Sequence, residues 1–239
     1  MTRLAKEKIE QLNPELTVII PTLNEAKNIE WVISTVLKHT PTAKIIVADD
    51  GSTDGTAKII EELIKNNSNI VFLDRSKKPH GLTASVIDSI IHTKTNFFVV
   101  IDGDGQHPPD KINEFIKHFN QGSSFVVGVR ECVANKWGLY RHSMSKTATA
   151  LAHLRLRLTG TTCSDPLSGF FGGETNSVKK ILESHNNSFI GTGYKVLFDL
   201  LKLQKWNIIE IPYIFGLRKG GESKIKSRHV IDFLKSLIR

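Results

Sequence analysis

The sequence contains little cysteine and has no long hydrophobic run. Its two cysteines, Cys132 and Cys163, lie outside any CxxC motif and are predicted to be reduced, structural thiols. No segment approaches the roughly 18 consecutive apolar residues that a membrane-spanning helix requires. Residues 1–15 lack the apolar centre of a secretory signal, and we therefore expect a cytoplasmic chain.

The interleaving of aromatic and basic residues that is expected for base stacking is also sparse, with only three tyrosines and three tryptophans. The 32 Lys and Arg residues outnumber the 24 Asp and Glu residues, which gives a formal net charge of +8. A basic surface attracts the phosphates of nucleic acids, nucleotides or anionic lipids, and charge alone does not choose among them. Because this interleaving is sparse, no nucleic-acid partner is expected.

Short, β-branched apolar runs alternate with helical patterns along the first half of the chain. Five runs predict strands buried on both faces: 16–20, 44–48, 69–73, 96–101 and 124–129. Two segments place side chains on one helical face, namely Thr56, Ile59, Ile60, Leu63 and Ile64 in the first and Ile112, Phe115, Ile116 and Phe119 in the second. In 239 residues this alternation predicts a single α/β domain with a mostly parallel sheet flanked by helices.

Polar, glycine-rich segments follow three of the predicted strands: PTLNE from Pro21, DDGSTDGT from Asp49 and DGDGQHPP from Asp102. Ligands of open α/β sheets bind beyond the carboxyl ends of the strands, so we expect these segments to meet at one site. Neighbouring carboxylates at Asp102 and Asp104 would repel each other, and their oxygens suit Mg²⁺ or Mn²⁺. Taken alone, a segment such as DGSTDGT is equally typical of a turn followed by a helix N-cap.

Several motifs occur together from about residue 16 to the end of the chain: VIIPTLNEAKNI, VADDGSTDGT, DGDGQHPPD, VVGVR, SDPLSGFF and FGLRKGGESKI. In this order and spacing they resemble the family 2 glycosyltransferases with the GT-A (Rossmann-like) fold, and among them the dolichyl-phosphate mannose synthases. Relatives usually carry tyrosine at the position of Leu23 and alanine at the position of Gly103. The missing tyrosine ring leaves the identity of the donor open.

The resemblance implies roles for three sets of residues. The nucleotide would contact Pro21, Leu23, Glu25, Ala48, Asp50, Asp102, Gly103, Arg218 and Lys224, with Asp50 accepting a hydrogen bond from the base. The metal, Mg²⁺ or Mn²⁺, would be held with the donor diphosphate by Asp102, Asp104 and Gln106. The acceptor phosphate would contact Arg130, Arg141 and Ser145. The residues implied to be catalytic are Asp104, Arg130 and Arg218.

Other interpretations of these residues remain open. Arg130 could form a surface salt bridge, and Arg141 and Ser145, four residues apart, could belong to a solvated helix start. His107, which precedes two prolines, is expected to be structural. Asp165 in SDPLSGFF either lies near the sugar or belongs to a Pro-containing turn.

The implied reaction is inverting transfer of a sugar, most specifically mannose from GDP-mannose, to dolichyl or polyprenyl phosphate. A hydroxyl acceptor needs a general base, whereas a phosphate monoester with a second pKa of about 6 is already an anion at neutral pH. The sequence offers no compelling base beyond the metal carboxylates, which favours the phosphate acceptor. The alternatives are a UDP-sugar donor such as UDP-glucose, a glycan hydroxyl acceptor, and a non-catalytic nucleotide- or RNA-binding module.

Three segments are predicted: an N-terminal extension (1–15), the glycosyltransferase domain (16–227) and a C-terminal amphipathic helix (228–239). In the last segment, Val230, Phe233, Leu234 and Leu237 form an apolar stripe with basic residues around it. This helix could lie in a membrane interface or pack on the core. We expect a peripheral protein on the cytoplasmic face of the membrane, with small membrane subunits as further candidate partners.

Overall fold

The computed structural model describes residues 15–133, 139–185, 188–193, 195–218, 220 and 227–238. Within them lie the strands β1 (Leu16–Thr22), β2 (Lys44–Asp49), β3 (Ile70–Asp74), β4 (Phe97–Val100), β5 (Phe125–Val133), β6 (Phe171–Glu174) and β7 (Ile208–Phe215). The helices are α1 (Ile29–His39), α2 (Thr56–Asn66), α3 (Leu82–His92), α4 (Ile112–Asn120), α5 (Leu139–Leu156), α6 (Thr175–Ser184), α7 (Val196–Leu201) and α8 (Ser227–Ile238). A short 3₁₀ turn, Pro109–Lys111, precedes α4.

The described strands form one sheet in the order β3-β2-β1-β4-β6-β5-β7. Strand β6 is antiparallel to both of its neighbours, and the other pairings are parallel. The mostly parallel α/β sheet expected from the sequence is therefore confirmed. All five predicted strands are present, and their carboxyl ends meet at one edge of the sheet.

Helices cover both faces of this sheet because successive strand residues point to opposite sides. Val18 and Ile20 pack into an apolar cluster with α1, α2 and α4, whereas Ile19 between them packs into a second cluster with α3, α5, α6, α7 and α8. The helical faces expected for α2 and α4 are confirmed: Ile60 and Phe115 are fully buried.

The second half of the chain adds strands that the apolar runs did not predict. Strand β6 carries two glycines, and a side chain on Gly172 would place its Cβ 2.4 Å from the carbonyl oxygen of Phe98. Strand β7 lies at the sheet edge, where Pro212 costs no ladder hydrogen bond to a further strand. The register between β5 and β7 shifts between Arg130 and Cys132. Such a bulge changes the direction of the side chains beside it.

Helix α8 carries apolar side chains on two sides. Phe233 is buried against Phe198 of α7, with the ring centroids 5.5 Å apart, and the backbone oxygen of Leu237 accepts a hydrogen bond from Arg155. Ile231 and Leu234, on the other side, are about half exposed, at 54% and 46%. One side of this helix therefore packs on the core.

Candidate active site

The loops after β1 and β2 are joined by hydrogen bonds between their backbones and side chains. Pro21 pairs with Ala48 in the sheet register, and the Asp50 amide donates to the Thr22 carbonyl over 2.9 Å. Asn24, at φ 54°, accepts from the Thr53 amide through its side chain over 2.8 Å. The two loops are therefore held against each other at the carboxyl edge of the sheet.

The loop after β4 carries Asp102 and Asp104 into the same edge. His107 Nε2 lies 2.9 Å from Asp102 Oδ2, and Arg218 Nη2 lies 2.7 Å from Asp104 Oδ2. Burial raises the pKa of Asp104, and the charge of Asp102 raises it further against the opposing charge of Arg218. Burial opposes ionisation of Asp102 too, but His107, Lys195 and Arg218 together lower its pKa.

The end of β7 is attached to this loop at successive positions. The Gly216 amide donates to the Gln106 carbonyl over 2.8 Å, and Gln106 Nε2 donates to the Gly216 carbonyl over 3.0 Å. Arg218, two residues further, lies between Asp104 and Glu25, whose Oε1 is 3.4 Å from its Nη1. One guanidinium thereby joins the loop after β1 to the loop after β4.

A second charged group lies at the end of β5. Arg130 makes a forked pair with Asp165, with Nε to Oδ2 at 2.6 Å and Nη2 to Oδ1 at 2.8 Å. Burial opposes the charge of Asp165, but the hydrogen bond and charge of Arg130 lower its pKa. Lys195 Nζ donates to the Leu167 carbonyl over 3.0 Å, and burial together with the charge of Arg130 lowers its pKa to about 8.

Asp50 is already hydrogen-bonded within the protein. Its Oδ2 accepts from the Gly81 amide over 2.7 Å, and its Oδ1 lies 3.4 Å from Nε of Arg75. Arg75 is fully buried and also donates to the Pro79 carbonyl over 2.6 Å. The loop before α3 is therefore organised around one buried arginine that contacts the residue predicted to bind the base.

The structure brings most of the predicted site residues to the same edge. Pro21, Glu25 and Ala48 are buried there, and a Cβ on Gly103 would lie 3.1 Å from the Thr22 side chain. Leu23 is 37% exposed. Three predicted residues lie outside this description: Lys224 is not among the described residues, and neither are the side chains of Arg141 and Ser145 in α5.

The donor set around Asp102 is suited to a hard cation. Among the described residues, Asp102 Oδ1 and Gln106 Oε1 accept no hydrogen bond, and the Arg218 guanidinium already places positive charge against Asp104. The described ranges contain no cluster of three or more His, Cys, Asp or Glu side chains that could hold a metal by itself, so any metal here would need other ligands as well. Two carboxylates and an amide fit Mg²⁺ or Mn²⁺ when phosphate oxygens complete the coordination.

Sequence reasoning missed Arg75, Lys195 and Tyr213. Arg75, Lys195 and Tyr213 all lie outside the quoted motifs. Tyr213 Oη lies 2.8 Å from His107 Nδ1, across 106 positions of sequence. Only the fold brings these side chains to the site, and no local pattern marks them.

Residues 17–182 match the family model described as glycosyl transferase family 2. This chain belongs to that family. The dolichol-phosphate mannosyltransferase of Pyrococcus furiosus is 32% identical over 231 residues, which cover 94% of this chain and 63% of that protein. The chain thus spans less than two thirds of that relative. The dolichol-phosphate mannosyltransferase of Saccharomyces cerevisiae is 30% identical over 240 residues, 93% of this chain and 85% of that protein.

Solved structures support the fold. The crystal structure of glucosyl-3-phosphoglycerate synthase from Mycobacterium tuberculosis, in complex with Mn²⁺, UDP and phosphoglyceric acid, has a TM-score of 0.62 at 22% identity. The match covers 99% of this chain and 83% of that one. The GT-A fold expected from the motifs is confirmed.

Across the described residues, no helix has the length and apolar character needed to cross a membrane.

Proposed function

We propose that this glycosyltransferase moves mannose from GDP-mannose to dolichyl or another polyprenyl phosphate, with inversion at the anomeric carbon. The observation that carries this proposal is the position of Arg218, between Glu25 of the first loop and Asp104 of the DGDGQ loop. A nucleoside diphosphate at this edge would contact the loop after β1, the Asp102 and Asp104 carboxylates and the Arg218 guanidinium together. The names of the two relatives supply the donor sugar and the lipid class.

Each loop takes one part of the donor. Pro21, Leu23, Glu25, Ala48, Asp50 and Gly103 are assigned to the nucleotide. Asp50 accepts from the chain's own groups, so a base N–H would share its carboxylate with Gly81 and Arg75. Arg218 and Lys224 are assigned to the diphosphate, where a guanidinium stabilises the charge that develops on the leaving group.

Asp102, Asp104 and Gln106 are assigned to the divalent cation. When bound, Mg²⁺ or Mn²⁺ would supply positive charge to the departing diphosphate. The chain's own contribution is to orient these side chains: the Gln106 backbone amide donates to Asp104 Oδ1 over 3.0 Å, His107 holds Oδ2 of Asp102, and Arg218 holds Oδ2 of Asp104.

The acceptor phosphate is assigned to Arg130, Arg141 and Ser145. Asp165 uses Nε and Nη2 of Arg130, which leaves Nη1 for an anion and holds the fork in one orientation. A phosphate monoester is largely dianionic at neutral pH, so the reaction needs orientation and charge rather than a base. This matches a site in which Asp104 and Asp165 are each paired with an arginine.

The lipid acceptor requires access to a membrane surface, and we assign the protein to the cytoplasmic face as a peripheral protein, with small membrane subunits as candidate partners. Helix α8 supports this assignment, because Ile231, Leu234 and Ile238 are exposed along one side of it. The net charge of +8 adds attraction to anionic lipids.

The test is a matrix of donors and acceptors. Radiolabelled GDP-mannose and UDP-glucose are each offered with a polyprenyl phosphate, with the matching polyprenol and with a glycan hydroxyl acceptor, with and without EDTA. We expect label in the organic phase from GDP-mannose and the phosphate only, and none after EDTA. Transfer from UDP-glucose or to a hydroxyl would replace the donor or the acceptor class. No transfer in any combination, together with tight RNA binding, would favour a non-catalytic module.

A further inference from the structure

His107 connects a metal-site carboxylate to a tyrosine from the far end of the sheet. His107 is 2% exposed, and its two ring nitrogens are both used, Nε2 towards Asp102 and Nδ1 towards Tyr213. The Phe170 and Phe215 rings pack beside the imidazole, with centroids 5.5 Å and 5.2 Å away. We propose that His107 and Tyr213 are positioning residues that fix the Asp102 carboxylate and leave Oδ1 for the divalent cation, an inference that rests on the proposed function.

The direction of the hydrogen bonds follows from the groups themselves. An ionised carboxylate only accepts, so His107 Nε2 carries the proton that it donates to Asp102. With a neutral ring, Nδ1 then accepts from the hydroxyl of Tyr213. Burial raises the pKa of Tyr213, so the phenol keeps the proton that it donates. The tyrosine therefore fixes the tautomer of the histidine, and the histidine fixes the carboxylate.

A fixed orientation of the Asp102 carboxylate is useful for binding a ligand. The Asp102 side chain is 34% exposed, and without a partner it would rotate among several orientations. A metal ligand that is oriented by a hydrogen-bonded neighbour loses less entropy when it binds. This hydrogen-bond chain therefore uses Oδ2 and presents a single remaining oxygen.

The backbone around the pair is shaped to the same arrangement. A Cβ on Gly169 would lie 3.0 Å from Asp102 Oδ2 and 3.2 Å from His107 Nε2. Only glycine lets the SDPLSGFF segment approach the hydrogen bond so closely without displacing it. Strand β7 supplies Tyr213 and then contacts the same loop through Gly216, so the tyrosine is itself held in register.

The experiment measures Mn²⁺ affinity directly, by electron paramagnetic resonance of free Mn²⁺ in the presence of GDP and, separately, UDP. The variants are His107→Ala, His107→Gln and Tyr213→Phe. We expect His107→Ala to weaken Mn²⁺ binding at least about 10-fold. His107→Gln keeps an N–H near Nε2 and should recover part of that loss. Tyr213→Phe keeps the ring and should weaken binding by about 2- to 10-fold.

The matched control is Phe115→Leu, which removes a buried ring that packs in a tilted orientation on Phe170, with the centroids 4.6 Å apart, and that has no hydrogen-bonding group. It should lower the thermal stability and leave the Mn²⁺ affinity unchanged. Folded His107→Gln and Tyr213→Phe proteins with wild-type Mn²⁺ affinity would overturn the positioning role. Wild-type protein that binds no Mn²⁺ with either nucleotide would contradict the metal site itself, and with it this inference.

Discussion

Arg218 Nη2 lies 2.7 Å from Asp104 Oδ2, so a cation from the end of β7 neutralises a carboxylate of the loop after β4. The pair is about a quarter exposed on the arginine side and nearly buried on the aspartate side, at 24% and 8%. Asp102 lies in the same loop and its charge repels that of Asp104, so the guanidinium relieves a repulsion that burial would otherwise strengthen. The same charge stands where a diphosphate is proposed to bind.

Asp104→Asn should abolish EDTA-sensitive transfer while the protein stays folded. The amide keeps the shape of the side chain but removes the charge for the cation, and we expect a loss of at least about 100-fold in turnover. The folded state should not suffer, because a carboxylate whose pKa is raised by burial is already unfavourable in its charged form. The measurement is radiolabelled lipid formation together with thermal unfolding.

The control for this variant is Asp110→Asn, an exposed aspartate of the adjacent 3₁₀ turn. It should leave both turnover and unfolding unchanged. Wild-type turnover in Asp104→Asn would remove Asp104 from the metal-binding set.

Asp165→Asn should weaken the fork on Arg130 and lower the free energy of unfolding by about 2 to 3 kcal/mol at neutral pH. The pKa of Asp165 is lowered in the folded protein, so its stabilising effect exists above the ordinary carboxyl range. That effect should disappear as the pH falls through the lowered pKa. Urea unfolding of both proteins between pH 7 and pH 3 measures the difference.

Glu131→Gln is the control for that series, because Glu131 is exposed and directly follows Arg130 in β5. Its difference from wild type should be small at each pH. A stability gap for Asp165→Asn that stays constant down to acid pH would show that the charge of Asp165 contributes nothing.

The sequence predicted the parts of the fold that are encoded locally. Strands β1 to β5 are short β-branched runs, and α2 and α4 have clear apolar faces. Strand β6 was missed because its FGGE sequence contains two glycines, and glycine is a poor strand signal. Gly172 is required by the close β4 backbone at Phe98, and Gly173 by the Phe125 ring of β5. Strand β7, IIEIPYIF, alternates buried and exposed residues around Pro212, and it was missed although it is rich in apolar residues, because Glu210 and Pro212 interrupt them.

The site residues, like the strands, include some that local sequence predicts and some that it does not. The acidic pair was predicted because Asp102 and Asp104 follow a strand within one short motif. His107, the partner of Asp102, lies in the same motif, but Arg218 and Tyr213 come from β7 and beyond, more than 100 positions from Asp104 and His107, and the pairing of Tyr213 with His107 is visible only in the fold. Local chemistry is readable from the sequence, whereas the orientation of that chemistry depends on long-range packing.

Lys202→Met should loosen helix α8 from the rest of the protein. Lys202 Nζ is fully buried and donates to Asp199 Oδ1 over 2.8 Å and to the Ser236 carbonyl over 2.8 Å. Removing the ammonium leaves the Asp199 carboxylate buried without its partner, which we expect to cost about 3 kcal/mol or more in unfolding free energy. Hydrogen exchange in residues 227–238 should accelerate.

The exposed Lys205, three residues further, provides the control variant Lys205→Met, which should change neither property. The double variant Asp199→Leu with Lys202→Met should recover much of the stability, because no buried charge remains. Unchanged exchange in α8 of Lys202→Met would mean that the apolar contact of Phe233 alone holds the helix.

Gly81→Ala should disrupt the loop that carries Arg75, through backbone strain and a steric clash together. Gly55→Ala is the control that produces backbone strain alone. Both glycines have positive φ, 145° and 94°, so alanine is strained at either position. At Gly55 nothing lies within 4 Å of the added Cβ, whereas at Gly81 it would lie 2.2 Å from the Gly191 carbonyl oxygen.

We expect about 1 kcal/mol of destabilisation for Gly55→Ala from backbone strain. Gly81→Ala should cost clearly more, because it also pushes the Gly191 carbonyl away from the start of α3, where the Ala84 amide donates to it over 3.1 Å. Chemical denaturation of the two variants measures both costs, and equal costs would show that the 190–193 segment moves aside without penalty.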